Sequence, residues 1–489
     1  HTNVNGLHAE LRKAGLGVRV YGRIVPLLMY ADDIVLLARN ARELQLMLDV
    51  VTAYARKWRF TTNCRKSNVV VVGSLTVKRA HDLWRWSLCG DRLIVVDAYK
   101  YLGAEVGRSG AGKWNRLLDR LFKKTKASLN LLSFRCAGSN GLRPRTSTYF
   151  WQAVTRPIAE YACELWEGEI SKIWEKKFES LQSSFCRAAL GLHMNPAAVG
   201  GRSECGLREW SWRRKMLKLR WWGRACDADD CRLFSLVFRR RWAEVVHGGA
   251  RLSGLQSMRA LLRECGLEDN WVQRSAGVEE GAWSALVASL VADGSRASEV
   301  SQRVERSSLR TFSELGCSYA DGIPLYLDDR SNLCGTRLMT KCRLGCLQLM
   351  TRVAKQLRWP SCGGRCLLCG TGALESILHF VLVCPRLEVC RSRFWAELKA
   401  MLVVVGDVGE AFLVLYDSMS AERRLQLLLG GRCDATVDGI VRWMVDKAFK
   451  NFLVACWKLR EELIGVVAVR DGSLFLSPPS SAGVGPQEV

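Results

Sequence analysis

The sequence predicts an α+β protein, with short strands confined to the front and helices over most of the remainder. Three observations point there. Tyr30-Ala31-Asp32-Asp33 stands between two apolar runs, Pro26-Leu27-Leu28-Met29 and Ile34-Val35-Leu36-Leu37, the pattern of a strand, a tight turn and a returning strand. From Lys113 to about Leu267 apolar residues recur at helical spacing amid dense Trp, Arg and Lys. Further on, Cys366-Leu367-Leu368-Cys369, His379 and Cys384 spell C-x2-C-x9-H-x4-C, a spacing suited to a small loop closed around a metal.

Taken in order, Asn5 to Gly17 reads as a helix leading into the hairpin. The hairpin lifts two adjacent carboxylates to its tip. Neighbouring like charges are costly unless neutralised, and a divalent cation does this well; Mg²⁺ is commonly held by one or two carboxylates plus phosphates. Asn40 to Trp58 reads as an amphipathic helix with Leu44, Met47, Leu48, Val51, Tyr54, Ala55 and Trp58 on one face, and Asn40 with Glu43 resembles a capping box. Asn63-Cys64-Arg65-Lys66-Ser67 then precedes a β-branched strand from Val69 to Val72, and Tyr99-Lys100-Tyr101-Leu102-Gly103 reads as strand and turn. Gly107 to Gly112 is a Gly-rich break.

In the helical region beyond that break, Leu117, Leu118, Leu121 and Phe122 form one apolar face. Arg116, Arg120, Lys123, Lys124 and Lys126 surround it, an arrangement that packs on one side and offers cations to a polyanion on the other. Arg208 to Arg224 interleaves Trp210, Trp212, Trp221 and Trp222 with Arg213, Arg214, Lys215, Lys218 and Arg220. Such a stretch can stack bases and neutralise phosphates, although Trp212, Met216 and Leu219 also fit a helical core stripe. Glu268 to Asp329 reads as a less distinctive helical linker. The Cys/His cluster sits on a tight turn, with Gly363-Gly364 before it and Gly370 after it. Its four positions suit a closed structural zinc site; Cys362 is an alternative to Cys366 or Cys369, and Cys390 to Cys384. Asp438 to Leu463 reads as an amphipathic terminal helix docking through Trp443, Phe449, Phe452, Leu453 and Trp457. Neither Asp471-Gly472-Ser473 nor the scattered acids between Met401 and Val469 form a nuclease pattern. Pro478 to Val489 has a disordered composition.

With 489 residues the chain has room for several domains. Lys+Arg 72 against Asp+Glu 48 gives a formal charge of +24, which points to a polyanionic partner, nucleic acid first. No apolar run is long enough for a membrane span. Twenty cysteines without a secretory leader argue for reduced thiols, hence a nuclear or cytoplasmic and not a secreted setting.

Tyr30-Ala31-Asp32-Asp33-Ile34-Val35-Leu36-Leu37 resembles the YxDD box of reverse transcriptases, specifically those of non-LTR (LINE-type, jockey-like) retrotransposons. The Asn63 to Ser67 segment, the Tyr101-Leu102-Gly103 segment and the late Cys/His cluster resemble that family's islands in the same order. The resemblance implies a partial right-hand polymerase palm (1–106), a helical thumb and basic region (107–267), a helical linker (268–345), a zinc-knuckle region (346–400), a helical C-terminal region (401–477) and a disordered tail (478–489). It implies RNA-directed DNA synthesis by two-metal phosphoryl transfer with Mg²⁺ (or Mn²⁺), on an RNA template, a DNA primer or target DNA, and dNTPs, with Zn²⁺ in the knuckle. Asp32 would share the metals, and Asp33 would hold the turn and the local field with a less direct metal role. Tyr30 would lie near the primer terminus. Lys66 would neutralise or protonate the leaving pyrophosphate, unless it is simply a surface cation. Tyr101, Leu102 and Gly103 would support the primer strand, and Lys123, Lys124, Arg213, Arg214, Lys215, Lys218 and Arg220 would contact nucleic acid. The family's fingers and earlier metal-binding Asp have no counterpart in residues 1–29, so the expectation is a back part inactive on its own. The rival expectation is a non-catalytic RNA- or DNA-binding remnant.

Overall fold

The front of the chain is a series of two-residue hairpins packed with three helices, the third at Val77–Leu83. A computed structural model describes residues 5–73, 76–107, 114–136, 141–192, 197–249, 253–328, 332–357, 363–431, 437–470 and 473–477. The architecture is α+β, mostly helical with small two-stranded sheets. The chain clusters into two units. One comprises His1–Phe122, Tyr161–Trp174 and Lys215–Val287; the other comprises Lys123–Glu160, Glu175–Arg214 and Ala288–Val489.

In the first unit, α1 (Asn5–Lys13) leads to β1 (Val18–Val20) and β2 (Arg23–Val25), then β3 (Leu27–Tyr30) and β4 (Asp33–Leu36). Helix α2 spans Ala41–Trp58. β5 (Asn68–Val70) pairs in parallel with β8 (Ile94–Val96), while β6 (Ser87–Leu88) with β7 (Asp91–Arg92) and β9 (Ala98–Tyr101) with β10 (Ala104–Gly107) are antiparallel. Leu7, Leu11, Leu27, Met47, Val51 and Val95 are among the side chains that meet in one core, each fully buried aliphatic contributing roughly 1.5–3 kcal/mol.

The amphipathic face predicted for α2 is the buried one at Met47, Leu48, Val51, Tyr54 and Ala55; Trp58 departs from it, 43% exposed at the helix end. The cap is half a capping box. Asn40 accepts the Glu43 N–H at 2.9 Å, but Glu43 turns elsewhere, to the backbone N–H groups of Arg39 and Gly17 and the Arg39 guanidinium. Gly17 has φ +118, and a Cβ there would lie 2.6 Å from the Pro26 backbone, so only glycine lets α1, β2 and Glu43 meet. The β-branched strand ends at Val70, and Val72 is 75% exposed.

In the second unit, stacked Trp151 and Phe185 rings 4.8 Å apart, with Trp210 edge-on, form one core. The terminal helix, Gly439–Ile464, packs on the Leu333–Arg343 and Glu388–Val403 helices. Phe449, Phe452 and Leu453 are buried as predicted, whereas Trp443 is 54% exposed, with Lys447 over its ring. The C-terminal region is not helical throughout: Val466–Arg470 pairs antiparallel with Ser473–Ser477. The β-branched Val466-Val467-Ala468-Val469 run favours a strand over a helix extension. The predicted tail, the core of the Gly-rich break and Asp471-Gly472 lie outside the described residues.

Glu43→Gln is expected to cost the first unit about 1–3 kcal/mol, seen as faster amide exchange at Gly17 and along α2. Burial works against ionising Glu43, but Arg39 and the two N–H donors outweigh it and hold the carboxyl below its ordinary 4.5. A lowered carboxyl pKa stabilises above the ordinary value and is lost as pH falls below it. The difference between wild type and Glu43→Gln is therefore expected to shrink in acid.

Candidate functional site

Four hairpins in the first unit turn through two residues. Three of these turns are Tyr21-Gly22, Cys89-Gly90 and Leu102-Gly103, with both central φ angles positive, the type I′ geometry that suits twisted strands. The fourth is Ala31-Asp32, between the register partners Tyr30 and Asp33. It has no glycine, and Ala31 alone is left-handed, at φ 53. A side-chain-bearing residue there costs roughly 1–2 kcal/mol, so the surrounding hairpin imposes a strained tip where the carboxylates stand. Tyr30, Asp32 and Asp33 are all exposed. Among the described residues neither carboxylate is ion-paired, to Lys66 or otherwise, and neither belongs to a group of three or more metal-donor side chains.

The other predicted front-end residues gather on the same unit. Burial and then the Asp33 charge raise the Tyr101 phenol pKa, so Asp33 and Tyr101 are within electrostatic reach. Tyr99 donates its hydroxyl proton to the Lys66 carbonyl at 3.0 Å. The Leu102 carbonyl accepts from the Tyr161 hydroxyl and the Gly103 carbonyl from Arg120. A Cβ on Gly103 would lie 2.8 Å from the Tyr161 oxygen. Lys66 itself is exposed.

The basic elements divide. On the Asn115–Cys136 helix Leu117, Leu118 and Leu121 are buried, and Lys123, Lys124 and Lys126 are exposed. The Trp210–Cys226 helix is a core helix instead. Arg214 and Lys218 are 1% and 2% exposed, and Lys218 is held by the Glu167 carbonyl and Ser257. Lys215 pairs with Glu264, and Arg213 with Glu160. Trp222 stacks on Trp271, and Trp210 is buried. The helical stripe through Met216 and Leu219 prevails, so burial removes Arg214 and Lys218 from any surface that could meet nucleic acid.

The Cys/His cluster is assembled. One donor atom from each of Cys366, Cys369, His379 and Cys384 lies within 4.8 Å of the others, and the group could hold a metal ion. The Cys366 and Cys384 sulfurs are 4.0 Å apart, and the Cys369 sulfur is 3.5 Å from His379 Nε2. Those are near the edges of roughly 3.6–3.8 Å that a tetrahedral site of S and N ligands requires. Cys362 lies outside the described residues. Cys390 is not in the group and neighbours Cys456 instead.

Local chemistry explains how the loop forms. Gly363 and Gly364 are left-handed, and a Cβ on Gly364 would lie 2.9 Å from Thr351. Arg365 and Leu374 form a bridge, after which Cys366 N–H donates to the Ala373 carbonyl. His379–Val383 is a π-turn rather than the α-turn the spacing suggests, and Cys384 N–H closes it on the His379 carbonyl at 2.7 Å. Burial pushes the Cys366 thiol up to about 12. At Cys369 burial is outweighed by hydrogen bonds from Thr371, Cys366 and His379, which bring it down to about 6. Backbone N–H groups of Leu368, Cys369, Thr371 and Arg386 favour the three thiolates, the outer support that metal ligands need.

The spacing gave no sign of Glu375 and Arg460. Glu375, within the spacer before His379, has a fully buried side chain and takes two hydrogen bonds from Arg460 of the terminal helix at 2.8 and 3.0 Å, plus the Met350 N–H at 2.6 Å. Trp457 packs edge-on against Phe380, one residue after His379. No protein family's sequence model matches the chain, and no curated protein matches it at a significant level. Among the described residues no helix is long and apolar enough to cross a membrane.

Arg460→Met is expected to cost about 3–5 kcal/mol, because it leaves Glu375 charged and buried. Thermal unfolding should show this, with much of the loss recovered in Arg460→Met/Glu375→Leu.

Proposed function

We propose that this chain carries part of an RNA-directed DNA polymerase of the non-LTR retrotransposon type, with a structural zinc loop near its end. The observation that carries the reading is the strained β3–β4 tip, which presents Asp32 and Asp33 to solvent with Tyr30 opposite Asp33 in register. Two exposed carboxylates suit Mg²⁺ or Mn²⁺ in part, since such ions keep waters and complete their shell with substrate phosphates. When bound, the metal would lower the cost of the primer 3′-alkoxide and stabilise charge on the transferring phosphate. Asp32 is the ligand in this reading, and Asp33 sustains the field that also reaches Tyr101. Tyr30 contacts the primer terminus, and the Leu102-Gly103 turn, braced by Tyr161 and Arg120, supports the primer strand. Lys66 serves the leaving pyrophosphate, and Lys123 and Lys124 meet the backbone of RNA or DNA.

Zinc fits the Cys/His group because three thiolates and one imidazole favour a soft tetrahedral ion. Cys366, Cys369, His379 and Cys384 would hold it with no position left for water, so its work is folding rather than chemistry. One equivalent of zinc is expected on the purified chain, lost in Cys384→Ser and kept in Cys390→Ser, by elemental analysis.

A second reading, nucleic-acid binding without catalysis, is favoured by a specific observation: no third metal donor joins the Asp pair among the described residues. Primer extension on an RNA template with Mg²⁺ separates the two readings, run with this chain and with a version extended upstream. Asp32→Ala is expected to abolish synthesis and leave RNA binding within about twofold. Extension that survives in this mutant sinks the polymerase reading, while silence throughout with salt-sensitive RNA binding selects the second.

A further inference from the structure

In the second unit, the helical run from Pro144 to Ala159 is interrupted by a π-turn at Trp151–Thr155, with Arg156 directly after it. Single π-turns inside helices are frequent at functional sites. Arg156 and Arg213 bring their Nε atoms to the same oxygen of Glu160, each at 3.3 Å, and that oxygen also accepts the Trp210 indole N–H at 3.0 Å. One carboxylate therefore serves two guanidiniums. Burial destabilises the Arg156 guanidinium most; Glu160 offsets part of this, and Arg213 and Arg208 then add to it. The two side chains keep 18% and 26% of their exposure, and Arg156 Nε is buried without a hydrogen bond of its own. Two largely buried guanidiniums that share one carboxylate favour an incoming anion, and guanidinium forks match phosphate oxygens.

The same run carries exposed rings. Tyr149 is 66% and Phe150 43% exposed, edge-to-face at 6.0 Å, and Val154 is 53% exposed. The rings precede Arg156 by about 10 Å of helix axis. Tyr149 and Phe150 thus form an exposed aromatic pair on the same helical run as Arg156. Stacking of bases on rings needs unpaired bases, because a duplex keeps its faces occupied.

We infer that Arg156 and Arg213 form a phosphate seat and Tyr149 with Phe150 a base platform, so that this face takes single-stranded nucleic acid. The inference rests on the nucleic-acid reading above and narrows it from RNA or DNA in general to an unpaired strand.

Fluorescence anisotropy on the full chain tests it, with labelled oligouridylate and an RNA duplex of equal length as probes. Tyr149→Ala removes an exposed ring and is expected to leave the melting curve unchanged. It should weaken single-strand binding about 5- to 100-fold and duplex binding less than about twofold. Arg213→Gln is expected to reduce the slope of log affinity against log salt by about 0.7 for a single strand. Because Glu160 is left with one cation in that variant, Arg213→Lys is run beside it and should restore the slope. Single-strand binding that is unchanged in Tyr149→Ala and Arg213→Gln overturns the inference while sparing the broader reading. Loss of a concentration-dependent dimer in Tyr149→Ala, with binding intact, also overturns it and assigns the rings to a second copy. Wild-type chain that binds neither probe sinks the broader reading itself.

Discussion

A carboxylate taken wholly out of water must meet a cation or take up a proton, and in the second unit Glu375 meets Arg460. Much else depends on that demand. Glu375 belongs to the loop that carries the four metal donors, and Arg460 belongs to the last helix, 85 residues on. The pair and the Met350 N–H fix one side of the loop, Phe380 against Trp457 fixes the other, and Arg391 closes on the Cys384 carbonyl. A second buried pair, Glu204 with Arg343, repeats the device elsewhere in the same unit, with Tyr326 donating to the same carboxylate. Such pairs add little net stability over an apolar core but tolerate few alternative arrangements.

The first unit obeys a milder version of the same constraint. Glu43 gathers Gly17, Arg39 and the start of α2, fixing the segment from which the hairpins emerge. Like its three sister turns the carboxylate tip begins with a left-handed non-glycine residue, but its second residue is Asp32, not left-handed, where they have a left-handed glycine. The two paired strands hold Asp32 and Asp33 at an exposed tip, clear of the core.

Legibility in the sequence tracked the range of the forces. The β3–β4 hairpin, α2 and the grouping of Cys366, Cys369, His379 and Cys384 were readable because local periodicity and spacing determine them. The strand pair Val466–Arg470 with Ser473–Ser477 had a local signal in its valines, which a helical reading of the region passed over. Arg208 to Arg224 misled because density of cations says nothing about which side of a helix is buried; Arg214 and Lys218 went inside with the tryptophans. Glu375 to Arg460 and Glu160 to Arg213 were illegible, since each joins residues far apart in sequence whose types are ordinary where they stand. The parallel pairing of β5 with β8 was hidden for the same reason.

The ion pair that anchors the Cys/His loop bears on modularity. A free-standing knuckle can be cut out and grafted because its ligands are its whole core. Here the stretch from Gly363 to Cys384 holds every donor yet leaves its buried acid unmatched without the final helix. A graft of Gly363 to Cys384 alone would carry Glu375 without Arg460, so the transferable unit is the loop together with its C-terminal partner helix.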